Sequence, residues 1–246
     1  MPKIFVGVLS CLLGLVPFQA QSPRWFQSAP SQRPSFLATE VGGFDNKGKS
    51  LVPTLLLIAG TYHVPMGIEQ ATPDSLERPI FVRLTHGTVA DLLASCTVQL
   101  SGYAWTLQDG VVDVHGPNEW ADPTNLFNLK VANFKVVDST LNDANNRLRD
   151  LVFSASGIAG VESPKQGPVG IGGDSPGNLN LERKHVTIAM ENTTVRAILN
   201  KIVVLSPSAG QPVVWVANVP PDKLAQAPGN GLWRLVPVGD PAAKQP

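Results

Sequence analysis

The chain has 246 residues, of which 43% are apolar and 15% are charged, and its 19 basic side chains are matched by 19 acidic ones. This length and apolar content suffice for one large domain or two small ones with a hydrophobic core. A formal net charge of +0 lacks the basic excess typical of nucleic-acid-binding proteins and gives no sign of a polybasic membrane-surface element. We therefore expect no nucleic-acid partner.

The first residues have the pattern of a secretory signal peptide. Lys3 provides a short positive region, and the apolar run at 4–16 is too short to span a bilayer comfortably. Ala20 is a suitable last residue before cleavage, so we predict a signal peptide at 1–20. No later run reaches 18 apolar residues, which predicts an exported protein, periplasmic or secreted, with no integral membrane segment in the mature chain.

An alternative reading treats the first cysteine as a lipid attachment site. The letters "VLSC" would then form a lipobox ending at Cys11, although the apolar run continues past it to Phe18. If the signal peptide is removed instead, Cys96 is the only cysteine left, and an internal disulfide is impossible. Cys96 is then a buried thiol, half of an intermolecular bridge, or a nucleophile.

Residues 36–116 show the order β-α-β followed by β-α-β-β. Ser50 and Thr88 stand at the N-cap positions of two helical patterns. Asp109-Gly110, between two strand-like runs, is a strong β-hairpin signal. The second helix has an apolar stripe with α-helical spacing, made by Val89, Leu92, Leu93, Cys96 and Leu100.

The second half repeats this order. "TVADLL" at residue 88 aligns with "TVRAIL" at residue 194, an offset of 106, and the leading helices align at an offset of 90. Thr140, followed three residues later by Asp143, resembles a capping box. The fold class predicted is α+β, with tandem β-α-β/β-α-β-β units whose helices pack against short mixed sheets. The predicted boundaries are a Pro/Ser-rich linker at 21–35, a first domain at 36–117, a linker at 118–126, a second domain at 127–238 with a Gly/Pro-rich loop at 157–180, and a disordered tail at 239–246.

The first unit resembles the secretin and TonB short N-terminal domain. The resemblance rests on Val82 and Leu84, on Thr88-Val89 before the apolar stripe, and on the aromatic strand that begins at Tyr103 and continues into the hairpin. It covers about residues 36–116, and 127–219 only as a degenerate copy. It implies a periplasmic domain that touches another envelope protein. No receptor barrel or secretin ring accompanies it within 246 residues.

No side-chain set in the sequence predicts catalysis. Cys96 is mid-helix on an apolar stripe with no basic neighbour, so we interpret it as a core residue. The predicted structural core comprises Val89, Leu92, Leu93, Cys96, Val195, Ile198, Leu199 and Ile202.

Polar and aromatic candidates also favour structural roles. Asp113 and His115 share one strand face, yet a metal site needs a third ligand, and we interpret them as polar residues on an exposed hairpin face. Trp105 and Trp215 occupy corresponding strands and are expected to pack a sheet. The glycines of loop 157–180 lack phosphate-binding spacing.

These patterns predict a non-catalytic envelope module that mediates protein–protein interaction, with no cofactor, no metal and no enzymatic activity. The alternative is a periplasmic protein that binds a small molecule or glycan through the glycine-rich loop and exposed tryptophans. The envelope partner and the oligomeric state are not specified by the sequence.

Overall fold

The computed structural model describes residues 34–69, 78–100, 102–116, 120–155, 185–206, 213–217 and 232–238. The predicted signal peptide, loop 157–180, tail 239–246 and most of the linker at 21–35 lie outside the described residues. Residues Arg33–Pro246 form one unit by their internal contacts. Within the described ranges, no helix has the length and apolarity needed to cross a membrane.

Helices packed against short sheets confirm the predicted α+β class. The described helices are α1 Leu51–Tyr62, α2 Val89–Thr97, α3 Leu141–Ala155 and α4 Val195–Leu205, with 3₁₀ turns at Ser35–Ala38 and Leu126–Asn128. The strands are β1 Glu40–Val41, β2 Phe44–Asp45, β3 Met66–Ile68, β4 Arg83–Leu84, β5 Gly87–Thr88, β6 Ala104–Gln108, β7 Val111–His115, β8 Lys130–Thr140, β9 His185–Thr194, β10 Val213–Ala217 and β11 Trp233–Pro237.

Threonine side chains cap the N-termini of three of these helices. Thr88 accepts from the Asp91 N–H and its own N–H donates to the Asp91 carboxylate, which is a complete capping box. The Thr140 hydroxyl likewise accepts from the N–H of Asp143. Thr194 caps α4 through the N–H three residues on. Ser50 stands at the N-cap of α1, but its side chain makes no capping hydrogen bond.

The repeat seen in the sequence is also present in the strand register. In each half, one strand segment pairs antiparallel with another, and a helix follows each segment. The first N–H of the later helix in each half donates to the carbonyl preceding the earlier strand, Val89 to Thr39 and Val195 to Leu129. Offsets of 90 and 106 residues convert the first pairs into the second: Glu40↔Thr88 into Lys130↔Thr194, and Phe44↔Leu84 into Phe134↔Met190.

Strands of both halves share one sheet. The five-stranded sheet has the order β11-β10-β3-β7-β6, and β10 pairs parallel with β3. A second antiparallel pair forms between β10 and β11. This pair extends the first half's sheet, because β10 pairs with the side of β3 that is not paired with β7.

This central sheet is covered on both faces, so its inner strands are buried along their whole length. Val112 and Val114 face the core formed with α1 and α2. Val111 and Trp215 face the other core, which α3 and α4 complete. The α4 helix of the second half therefore lies against a sheet built mainly by the first half.

Candidate functional site

The predicted core positions lie inside the two hydrophobic cores. The eight side chains are each 0% exposed: Val89, Leu92, Leu93, Cys96, Val195, Ile198, Leu199 and Ile202. Cys96 is a free, buried cysteine, and burial raises the pKa of its thiol to about 12. A thiol with that pKa is protonated at neutral pH and is a poor nucleophile.

Strand β6 is an edge of the central sheet, and its outer side has no strand partner among the described residues. The turn at Asp109 (φ 54°) and Gly110 (φ 80°) has the left-handed pair of conformations of a two-residue type I′ hairpin. Gln108 and Val111 therefore form the hydrogen-bonded pair that closes the turn.

The alternation of an antiparallel ladder then fixes which backbone groups of β6 point outward. Val112 donates to the Pro65 carbonyl and Val114 accepts from Glu69, at 2.9 and 2.8 Å, so both turn their backbone groups toward β3. Their partners Leu107 and Trp105 must turn theirs the opposite way, off the sheet edge. Within the described ranges, the N–H and C=O groups of Trp105 and Leu107 therefore have no strand partner.

The two edges of the sheet differ in how they discourage further pairing. Strand β6 reads "AWTLQ", with no charge, proline or bulge in its ladder. Strand β11 contains Arg234 and Pro237, and the carbonyl of its Trp233 accepts from Arg149 of α3. Charges, prolines and covering elements are the usual means of protecting an edge strand. Strand β6 has none of them within the described structure.

Two partly exposed apolar side chains lie on or near β6. Leu107 is 38% exposed, and Val204 of α4, close to the β6–β7 turn at Gly110, is 37% exposed. A second exposed pair, Phe81 and Val98, lies elsewhere in the first half. Gln99 holds the backbone of Phe81 through hydrogen bonds to both its N–H and C=O. The β6 surface combines apolar side chains with free backbone groups, whereas the backbone of Phe81 is already bonded.

A buried ion pair lies where α4 meets the sheet. Arg196 donates to Glu69 through Nε at 2.9 Å and through a second nitrogen, and the side chains are 4% and 1% exposed. Asn125 donates to the other Glu69 oxygen at 3.0 Å, and Asn128 accepts from Arg196. The guanidinium carbon also lies 4.1 Å from the centre of the Trp120 ring. This set, which we call the α4 clamp, joins the two halves.

The prediction that Asp113 and His115 lie on an exposed strand face is wrong. They are 0% and 4% exposed, because their face of β7 is covered by α4 and Trp120. Burial raises the pKa of Asp113 to about 8, against the opposing effects of the Asn200 hydrogen bond and the Arg196 charge. Burial also lowers the pKa of His115, whose Nδ1 lies 2.8 Å from the Gly116 carbonyl.

Burial therefore favours the uncharged form of both side chains. Asp113 is held through one oxygen by the Asn200 amide at 2.9 Å, and Asn200 in turn accepts from the Trp215 indole at 2.8 Å. Asn200 therefore links α4 to two strands of the central sheet through these hydrogen bonds. In the part of the chain that the structure describes, no group of three His, Cys, Asp or Glu side chains is arranged to hold a metal.

No protein-family model, curated protein or solved structure matches this chain. Its function must therefore be argued from its own residues.

The sequence suggested partner binding at exposed sheet edges without identifying β6 as such an edge, and the α4 clamp was not foreseen. The edge had a signal, since "AWTLQ" lacks every residue type that protects an edge strand. The clamp also had one. Arg196 and Asn200 stand at the repeat positions of Ala90 and Ala94, and a charge plus an amide replacing two alanines in a repeated helix indicates a new neighbour.

Proposed function

We propose that this chain is a non-catalytic, exported cell-envelope protein that binds other proteins, and that strand β6 is its binding edge. The observation that carries the proposal is the unprotected edge formed by Trp105 and Leu107. An extended segment added there would gain main-chain hydrogen bonds, and side-chain contacts on alternate positions would give specificity. The export assignment rests on the signal-peptide pattern at 1–20.

The interior of the protein supports a binding role over a catalytic one. Three titratable groups lie together at the sheet, and Glu69, Arg196 and Asp113 are 1%, 3% and 0% exposed. Arg196 donates a hydrogen bond to Glu69, and Asp113 accepts one from Asn200. General acid–base chemistry needs a group within hydrogen-bond reach of a substrate. Their contacts fit a structural role, which leaves the surface as the place of function.

The small-molecule or glycan alternative depended on exposed tryptophans, and these have less free surface than the sequence suggested. Trp215 and Trp233 are 0% exposed, and Trp105 packs against the first core. Trp120 stacks with His115 at 4.2 Å between ring centres. The remaining basis for this alternative is loop 157–180, outside the described residues.

Photo-cross-linking in the native cell tests the proposal. A photoreactive amino acid replaces Leu107 on the open edge, and the matched control replaces Arg234, an exposed position on the protected edge. We expect a cross-linked protein product at Leu107 and little or none at Arg234. Equal yields at both positions, or no protein product at Leu107, would contradict the assignment of β6 as the binding edge.

A further inference from the structure

We infer that the β6 edge takes the same edge of a second copy of this chain, in an antiparallel arrangement with its two-fold axis at Thr106. This inference rests on the proposed function, since it names the occupant of the edge proposed there.

The backbone geometry of β6 is self-complementary about Thr106. The outward-facing residues are Trp105 and Leu107, which stand symmetrically on either side of it. In an antiparallel pair centred there, Trp105 of one copy lies opposite Leu107 of the other. Both residues turn their N–H and C=O outward, so each such pair exchanges two bonds and the interface gains about four backbone hydrogen bonds.

The side chains complement one another in the same register. Trp105 packs on the core formed with α1 and α2, and Leu107, two residues further along the strand, shares that face. Each cross-strand pair therefore places an aromatic ring beside an aliphatic side chain. On the other face the two Thr106 side chains lie directly opposite, and Thr–Thr pairs are also favourable. Ala104 lies opposite Gln108, a small residue against a long one.

Electrostatics do not oppose this pairing. No residue of β6 is charged, and the nearest acid, Asp109, would lie opposite position 103 of the other copy, which is Tyr103. Like charges placed opposite one another are the usual obstacle to edge-to-edge association. The contact is short, so we expect a weak, concentration-dependent dimer rather than an obligate one.

Disulfide trapping tests the register directly. In a Cys11→Ser background, T106C places two thiols at a non-hydrogen-bonded pair, where Cα atoms lie about 4.5 Å apart, within the disulfide range. A104C is the matched control on the same strand face, because its own copies lie about 14 Å apart along the strands. We expect T106C to form a disulfide dimer under mild oxidation and A104C to remain monomeric. Mixing A104C with Q108C should restore a dimer.

Charge substitution provides a second, independent measurement. We expect the wild-type chain to show a concentration-dependent doubling of mass in sedimentation equilibrium, T106K and T106E each to be monomeric, and their mixture to dimerise. Folding of every variant is checked by the inaccessibility of Cys96 to a thiol reagent, since this residue is 0% exposed in the folded chain.

The outcomes separate this inference from the proposed function. A T106C variant that folds but forms no disulfide, together with a wild-type chain that stays monomeric, would overturn self-pairing. Equal trapping of T106C and A104C would overturn the register. If self-pairing fails while Leu107 still cross-links a different envelope protein in the cell, the binding edge stands and only its occupant changes.

Discussion

The two halves of the molecule repeat one unit, yet the equivalent helices α2 and α4 have different surroundings. Four apolar positions of the stripes correspond: Val89, Leu92, Leu93 and Cys96 in α2 with Val195, Ile198, Leu199 and Ile202 in α4. On the adjoining face, α2 has Ala90 and Ala94, which are half-buried and exposed, whereas α4 has Arg196 and Asn200, which are 3% and 0% exposed. These polar side chains lie on a face of α4 that is buried, whereas the equivalent face of α2 is not fully buried.

The buried polar side chains of α4 belong to the contact between the two halves. The second half uses its helix α4 and its hairpin β10–β11 to attach to the first half's sheet. Its own edge strand, β11, carries Arg234 and Pro237 and is bonded by α3. The outer side of the first half's β6 has no strand partner among the described residues.

Removing the charge of the α4 clamp should have the largest effect on stability. Arg196→Ala leaves the Glu69 carboxylate buried without its cation, which costs about 3–5 kcal/mol. Lys201→Ala, at an exposed position of the same helix, should change the free energy of unfolding by less than about 0.5 kcal/mol. Urea unfolding of both variants measures the difference, and similar losses would show that the clamp does not join the halves.

Adding a side chain at Gly67, where β3 of the first half meets Trp215 of the second, should have the next largest effect. A Cβ at Gly67 would lie 2.3 Å from the Trp215 ring and 2.5 Å from the Asp113 carboxyl. Gly67→Ala should therefore cost about 1–3 kcal/mol through overpacking. Gly42→Ala, where a Cβ meets nothing within 4 Å, is the control and should be nearly neutral. Thermal unfolding distinguishes them, and a well-tolerated Gly67→Ala would contradict the tight packing of β10 on β3.

The buried Asp113 predicts that the free energy of unfolding depends on pH. Its folded pKa, about 8, is raised above the ordinary value of 3.8, so the folded state binds the extra proton between those values. Its stabilising effect is complete below pH 3.8 and is lost as the pH rises through about 8. Asp113→Asn should cost about 1 kcal/mol or less at pH 5.

The same variant should lose less stability than the wild type between pH 5 and pH 9, because asparagine does not ionise. Denaturant unfolding at a series of pH values gives the comparison. The groups around Asp113 are Asn200 and Arg196 of α4, Glu69 after β3, and Asp109 in the β6–β7 turn. Parallel pH profiles for the two proteins would show that Asp113 is ionised in the folded chain.

The helix caps should give the smallest differences. Thr88→Ala removes a reciprocal capping box with Asp91, whereas Thr194→Ala removes a single hydrogen bond to the N–H of Ala197. Each should cost about 1 kcal/mol, and Thr88→Ala should cost the more of the two. Thermal unfolding provides the measurement. A larger loss from Thr194→Ala would indicate that the cap of α4 also supports the clamp.

Local features of this fold could be predicted from its sequence, and the pairing between distant strands could not. Thr88, Thr194 and the apolar stripes act within one or two helical turns, so the helices and their repeat were recognised. The pairing of β10 with β3 joins residues Val214 and Met66, and nothing local specifies such a contact. The all-apolar "VVWVA" was a usable signal, because a strand covered on both faces shows no alternation.

The same reasoning explains the error at Asp113. Alternation along β7 correctly places Asp113 and His115 on one face, and it gives no information on whether water or a helix covers that face. The face is covered by α4, whose Arg196 is 127 residues away in sequence from its partner Glu69. The open edge was predictable in composition, since β6 lacks charge and proline. Its outward positions became definite only with the ladder register.

Residue-resolved amide hydrogen exchange across β6 distinguishes an open edge from a covered one. In dilute protein the N–H groups of Trp105 and Leu107 should exchange fast, and those of Thr106 and Gln108, bonded to β7, should exchange slowly. Concentrating the protein should slow exchange at Trp105 and Leu107 alone. Uniform protection along β6 at every dilution would contradict the account, because it would mean that the chain itself covers this edge.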